Sequence, residues 1–187
     1  MFTMMPDGKE AFFGDSDDAR AVFLGDGDYW DYRGLMALGA VLFERGDFKW
    51  VSDGPSPELL WLLGESGVSQ YEQIRAEVPR TMSRLFPESG YGVMLDRWDS
   101  KANFMVMDCG PLGFKSGAHG HADGLSIQAA LRGQRILIDM GTYAYNREQK
   151  LRNYFRGTRA HNTVSVDDKD QAEMIGRMNW AALPRAQ

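Results

Sequence analysis

The chain has 187 residues, of which 43% are hydrophobic and 25% charged, with a net charge of −5 from 21 basic and 26 acidic side chains. This composition predicts a folded globular chain of one domain or parts of two, and the acidic balance argues against general nucleic-acid binding. No apolar run approaches the ~20 residues that span a bilayer. The start, Met1-Phe2-Thr3-Met4-Met5-Pro6-Asp7-Gly8, lacks the basic and apolar stretches of a signal peptide. A single cysteine, Cys109, excludes an internal disulfide, and its apolar neighbours predict a small buried side chain.

Residues 1–28 are rich in turn formers and predict a loop. Within it, Asp15 to Asp18 lack the spacing and terminal glutamate of a calcium loop, so a solvated turn is expected. Residues 31–45 predict a helix: Leu35, Met36, Leu38, Ala40, Val41 and Leu42 recur at helical spacing, with Asp31 as N-cap and Gly46 as the stop. Residues 56–63 predict a second helix, opened by Pro57 and closed by Gly64. It is apolar nearly all round, so Trp61 and its leucine neighbours are expected to pack between further helices. Residues 64–89 read as a connector, with a domain boundary near residue 70. Beyond it, strands are predicted at 91–98, 102–108, 125–131, 135–139 and 163–166. Asp99-Ser100-Lys101 and Gly133-Gln134 are expected to turn two hairpins. The last residues, from Trp180, show no evident closing element. The expected class is α+β: helices over residues 1–70, then an antiparallel sheet, half of a sandwich, over 71–187.

The chain has three histidines. Two lie one residue apart in Gly117-Ala118-His119-Gly120-His121-Ala122-Asp123, and the third is in Arg159-Ala160-His161-Asn162-Thr163. On an extended strand, His119 and His121 would face the same side. His121, Asp139 and His161 offer two imidazoles and a carboxylate, a set suited to zinc with a fourth position for water. His119 is then left for acid–base work. The ordinary alternative is three histidines in unrelated hydrogen bonds. Arg132, Arg135, Arg147, Lys150, Arg152, Arg156 and Arg159 form a basic band on an acidic chain, which points to an anionic ligand. Its alternative is a solvated face paired with Asp167, Asp168, Asp170 and Glu173. Tyr143, Tyr145, Tyr154 and Phe155 interleave with the band. Tyr145 and Tyr154 are candidates to line a site and donate a proton.

Taken together, several stretches resemble the heparinase II/III-like proteins. They are residues 104–113, ending Asp108-Cys109-Gly110-Pro111-Leu112-Gly113; His119-Gly120-His121-Ala122-Asp123; Asp139-Met140-Gly141-Thr142-Tyr143-Ala144-Tyr145-Asn146; Arg152-Asn153-Tyr154-Phe155-Arg156; and Arg159-Ala160-His161-Asn162-Thr163. Order and spacing match over residues 86–171, and Gly14-Asp15-Ser16-Asp17-Asp18 with the Asp31 helix resembles the end of the family's helical domain. The resemblance implies the last helices of an incomplete (α/α) toroid followed by antiparallel sheets. It also implies a polysaccharide lyase that cleaves uronic-acid polymers by β-elimination, in the periplasm or outside the cell. By position, His121, Asp139 and His161 match the zinc ligands and His119 the active-site histidine of the sheet domain. Arg147, Arg152, Arg156 and Arg159 become candidates to bind the anionic polysaccharide. The family's catalytic tyrosine, with its asparagine and histidine, lies upstream of this chain, and Met140 stands where proline is frequent. The chain is therefore expected to be a fragment without its N-terminal toroid and remaining strands, inactive by itself. Two other readings compete: a cupin-like metal enzyme, which lacks the expected glutamate, and a non-catalytic carbohydrate-binding module.

Overall fold

The computed structural model describes residues 1–16, 23–25 and 27–184; Asp17 and Asp18 of the considered calcium turn fall outside them. Helix α1 spans Arg33–Leu42 and α2 Gly46–Val51. Gly46 thus opens a helix rather than closing one. Asp31 is not the N-cap: that position is Tyr32, and the Asp31 carboxylate instead takes the backbone N–H and guanidinium of Arg33. Helix α3 spans Pro57–Gln73, with the Ser56 hydroxyl accepting the Leu59 N–H at 3.2 Å. Gly64 breaks it as expected, at φ 65°, ψ −169°, but the chain turns back into helix and runs through residue 70.

Ala37, Ala40 and Val41 of α1 pack on Leu59 and Tyr71 of α3. The fully buried positions of α1 are small residues and Val41, Leu38 packs partly against them, and Leu35 and Leu42 are exposed. Trp61 is 71% exposed, with Leu60 and Leu62 exposed beside it, so the expected burial of that helix is not met within this chain. Leu59 is wholly buried. Leu59→Ala is expected to destabilise the helical layer by about 2–5 kcal/mol, read as a lower denaturation midpoint.

The sheet has five antiparallel strands in the order β1 to β5: Ser83–Phe86, Tyr91–Leu95, Phe104–Asp108, Ile127–Leu131 and Gln134–Leu137. β1 lies in the predicted connector, where only its pairing to β2 makes it a strand. The two expected hairpins form, through residues 99–101 and through Arg132-Gly133. The strand expected at 163–166 does not, and Val164 and Val166 are exposed.

Alternation along β3 buries Phe104 and Val106, and Val93 of β2 joins them. The N-terminal segment covers this face. Met5 and Ala11 complete the core, Gln128 of β4 exchanges hydrogen bonds with the Phe12 backbone, and Arg135 of β5 pairs with Asp7 at 2.7 Å. Residues 1–16 are therefore a layer on the sheet, tied to it by groups more than a hundred positions away. Cys109 is only half-buried, since it lies just past the end of β3.

After β5 come α4, Gln149–Arg156, a 3₁₀ turn, Thr158–Ala160, and the short pair β6, Glu173–Met174, and β7, Trp180–Ala181. Trp180 is the closing element that the sequence did not reveal. It is buried with Leu112, Ala122 and Ala172, and its indole N–H donates to the Gly120 carbonyl at 2.9 Å.

Candidate metal centre and active-site histidine

His119 and His121 are not on a strand. They sit in the loop between β3 and β4, and His119 has φ +62°, a left-handed conformation that costs a non-glycine residue energy. The loop is clamped. Gly120 lies so close to the Leu112 carbonyl that a Cβ would sit 1.6 Å from it, so only glycine fits between the histidines. Gly14, at φ +56°, also packs closely, since a Cβ there would sit 2.5 Å from the His119 carbonyl, and the N–H of Asp15 donates to that carbonyl at 2.8 Å. The histidines are thus aimed by loop contacts, not by strand alternation.

Asp15 is the residue that the sequence reading missed. Its side chain is fully buried, not solvated. One oxygen lies 3.2 Å from His119 Nδ1 and the other 2.9 Å from His121 Nε2. Arg152, buried at the heart of α4, grips both oxygens, and Thr142 Oγ1 donates at 3.1 Å. Burial alone would raise the Asp15 carboxyl, but hydrogen bonds from His121 and Arg152, with the arginine's charge, hold it well below the usual carboxylate range.

Behind this lies a second layer. The His121 and His161 rings are 5.2 Å apart. His161 follows the 3₁₀ turn, and its segment is pinned by Asn162, whose side chain donates to the Ile138 carbonyl while its carbonyl accepts the Ile127 N–H of β4. That brings His161 Nδ1 to 2.5 Å from Asp139 Oδ2, with the other Asp139 oxygen on the Gly141 N–H. One ligand atom each from His121, Asp123 and His161 lies within 4.8 Å of the others, the group that could hold a metal ion among the described residues. The structure therefore brings the two expected imidazoles together and adds Asp123. Asp139 stands beside His161 but outside that group.

The polar atoms fit a cation. His121 Nδ1 and His161 Nε2 are buried without a hydrogen-bond partner, although buried nitrogens are ordinarily satisfied. Burial pushes Asp123 up to about 7: the neighbouring His161 opposes the shift, and the charges of Asp108 and Asp139 add to it. Burial also lowers His121, its contact with Asp15 notwithstanding. At His161 burial works the same way but is outweighed by Asp139, which raises it.

The basic band survives only in part as a surface: Arg132, Arg147, Lys150 and Arg159 are exposed, and the others turn inward. Arg152 is spent on Asp15. Arg156 is 1% exposed, stacks over Trp180 at 4.8 Å and donates to the Gly176 carbonyl. Arg135 pairs with Asp7 and Arg159 with Asp168. Arg152 and Arg156 are therefore internal: the Arg152 charge is met by Asp15, whereas Arg156 lies against an indole and a carbonyl with no acid in contact. Of the four arginines expected to bind the polysaccharide, Arg147 and Arg159 remain at the surface. Of the tyrosines, Tyr145 meets the His119 ring edge-on at 6.1 Å, whereas Tyr154 is exposed and packs on Phe155.

An open antiparallel sheet with a buried imidazole–carboxylate centre at its loops excludes the closed barrel of a cupin among the described residues. Residues 78–187 match the family model described as heparinase II/III-like, C-terminal, and the chain belongs to that family. It is 26% identical over 108 residues to a heparin-sulfate lyase of Pedobacter heparinus and 31% identical over 106 residues to one of Bacteroides stercoris. These matches cover 56% and 54% of this chain but 16% of each relative, so the chain spans about a sixth of their length. The fold is shared with the crystal structure of heparan sulfate lyase HepC from Pedobacter heparinus, with TM-score 0.64 and 20% identity over 91% of this chain and 23% of that one. It is also shared with a crystal structure of heparinase III, with TM-score 0.63 and 16% identity over 96% of this chain and 26% of that one.

Proposed function

We propose that this chain is part of a polysaccharide lyase that cleaves an anionic, uronic-acid-containing polysaccharide by β-elimination. The observation that carries this reading is an exposed, conformationally strained His119 fixed beside a buried metal-type cluster, in a chain whose relatives are heparin-sulfate lyases. In the reaction, His119 Nε2 accepts the proton from C5 of the uronate. The electron pair left behind forms the C4–C5 double bond, the C4–O bond breaks, and an acid protonates the departing oxygen. Tyr145, whose ring meets that of His119, is the tyrosine assigned a part in this reading, and the exposed Arg147 and Arg159 are assigned to the polymer's charge. Further catalytic groups, including the tyrosine implied by the resemblance, belong to a helical region upstream. The test is formation of an ultraviolet-absorbing unsaturated product from uronate polymers by the full-length enzyme, with little or none from residues 1–187 alone. Saccharide binding without any such product from the full-length enzyme would favour a carbohydrate-binding module instead.

The cluster fits zinc, held by the His121 and His161 imidazoles and a carboxylate; when bound, the ion supplies a cross-link that stiffens the loop presenting His119. Asp139 is the acid that the resemblance assigns, and Asp123 the one that the geometry adds. Asp123→Asn and Asp139→Asn separate them. Loss of the liganding acid is expected to lower the zinc content of the purified protein. Loss of the outer one is expected to weaken affinity by about 10–100-fold and leave occupancy full at saturating zinc.

A further inference from the structure

We infer that Asp15 is the positioning residue for His119: it holds the Nδ1 edge of the ring, fixes the tautomer whose lone pair is on Nε2, and turns that nitrogen outward. The inference rests on the lyase reading for its catalytic consequence, but its geometric content stands on its own contacts.

An ionised carboxylate only accepts hydrogen bonds, so the ring nitrogen that faces it carries the hydrogen. Asp15 Oδ2 lies 3.2 Å from His119 Nδ1, which leaves Nε2 as the acceptor of the neutral ring. The acid cannot swing away. Its side chain is 0% exposed, Arg152 Nη2 holds the same oxygen at 2.7 Å, and Thr142 and His121 hold the other. Its backbone N–H is also bonded to the carbonyl of His119 itself, so the segment grips this residue at both main chain and ring. The ring, by contrast, is 61% exposed and would otherwise be free to rotate and to take either tautomer. A buried, doubly anchored acid behind an exposed imidazole has the logic of the aspartate in hydrolytic triads. It selects the tautomer and stabilises the imidazolium that forms when the proton arrives, and does not itself take the proton. Residues 1–16 therefore give the sheet more than a covering layer: they carry the group that orients its histidine.

Long-range proton–nitrogen NMR of the histidine rings, recorded where they are neutral, tests this directly. In the wild type, His119 is expected to carry its hydrogen on Nδ1; a hydrogen on Nε2 would overturn the inference without any variant being needed. In Asp15→Ala the preference is expected to be lost. In the full-length enzyme, kcat is expected to fall by about 10²-fold, the lower end of what a positioned general base contributes, with KM changed less than about twofold. Asp15→Asn keeps the shape, but its oxygen is drawn to the side where His121, Thr142 and Arg152 donate and its NH2 then faces His119 Nδ1, so it is expected to move the hydrogen to Nε2 and to leave kcat low. An active parent whose Asp15→Ala variant keeps full kcat would sink the inference and spare the lyase reading. A wild type that makes no unsaturated product, yet loses its Nδ1 hydrogen in Asp15→Ala, would sink the lyase reading and spare the inference.

Discussion

His119→Ala in the full-length enzyme is expected to lower kcat by about 10²–10⁴-fold, the range contributed by a positioned general base. The loss should fall on kcat rather than KM, because an imidazole that removes a proton acts in the transition state and binds the ground state little. Zinc content and melting temperature are expected to stay close to wild type. The His119 ring is 61% exposed, lies outside the buried cluster, and makes one hydrogen bond, to Asp15, that its removal leaves to be replaced by Arg152, Thr142 and His121. This separation of chemistry from stability is the useful feature of the variant. Retention of wild-type kcat would reduce His119 to a surface histidine and remove the base from the proposed reaction. A parallel loss of zinc would instead place the residue in the metal centre.

His161→Ala is expected to do the opposite: release zinc and unfold early. His161 and Asp139 face each other at 2.5 Å with side chains 1% and 3% exposed. Removing the imidazole strands a buried carboxylate, and breaking such a pair from one side costs about 3–5 kcal/mol. For a chain of this size that corresponds to roughly 6–20 °C in Tm. His121→Ala should likewise release zinc, since it contributes the second unpartnered buried nitrogen of the cluster. Metal analysis of the purified variants, with thermal unfolding in the presence and absence of a chelator, measures both effects. Binding to the folded state alone stabilises it, so the wild type should lose Tm on chelation while the two histidine variants, already without metal, should not. Unchanged zinc in both variants would dismiss the cluster as a ligand set. Unchanged Tm in His161→Ala would contradict the burial of its pair.

Short-range patterns were legible in the sequence. Alternation and turn residues marked β2 to β5 and both hairpins, because a strand's period and a turn's backbone demands are written in a few adjacent residues. Pro57 and Gly64 marked the start and the break of α3 for the same reason. The family was legible too, through five separated motifs whose order is far more specific than any one of them. The pairing of His121 with His161 could be anticipated from residue chemistry, although the argument that put His119 and His121 on a strand was wrong in its geometry.

What only the tertiary structure decided are the long-range partners. Asp15 reads as one more aspartate in a polar turn, yet it meets His119 and Arg152 across separations of 104 and 137 residues. Arg152 and Arg156 read as a surface band, because charge counted along the chain says nothing about which guanidinium will fold inside, onto an acid as Arg152 does or against an indole and a carbonyl as Arg156 does. Trp61 read as core, because an apolar sequence records the demand for a partner and not its presence. By itself, then, the sequence determined which residue types the centre has and which local elements carry them. Folding the N-terminal layer onto the sheet decided which imidazole is buried, which is exposed, and which carboxylate stands behind each. Burial and counter-charge are properties of a neighbourhood assembled in space, and a linear pattern does not contain them.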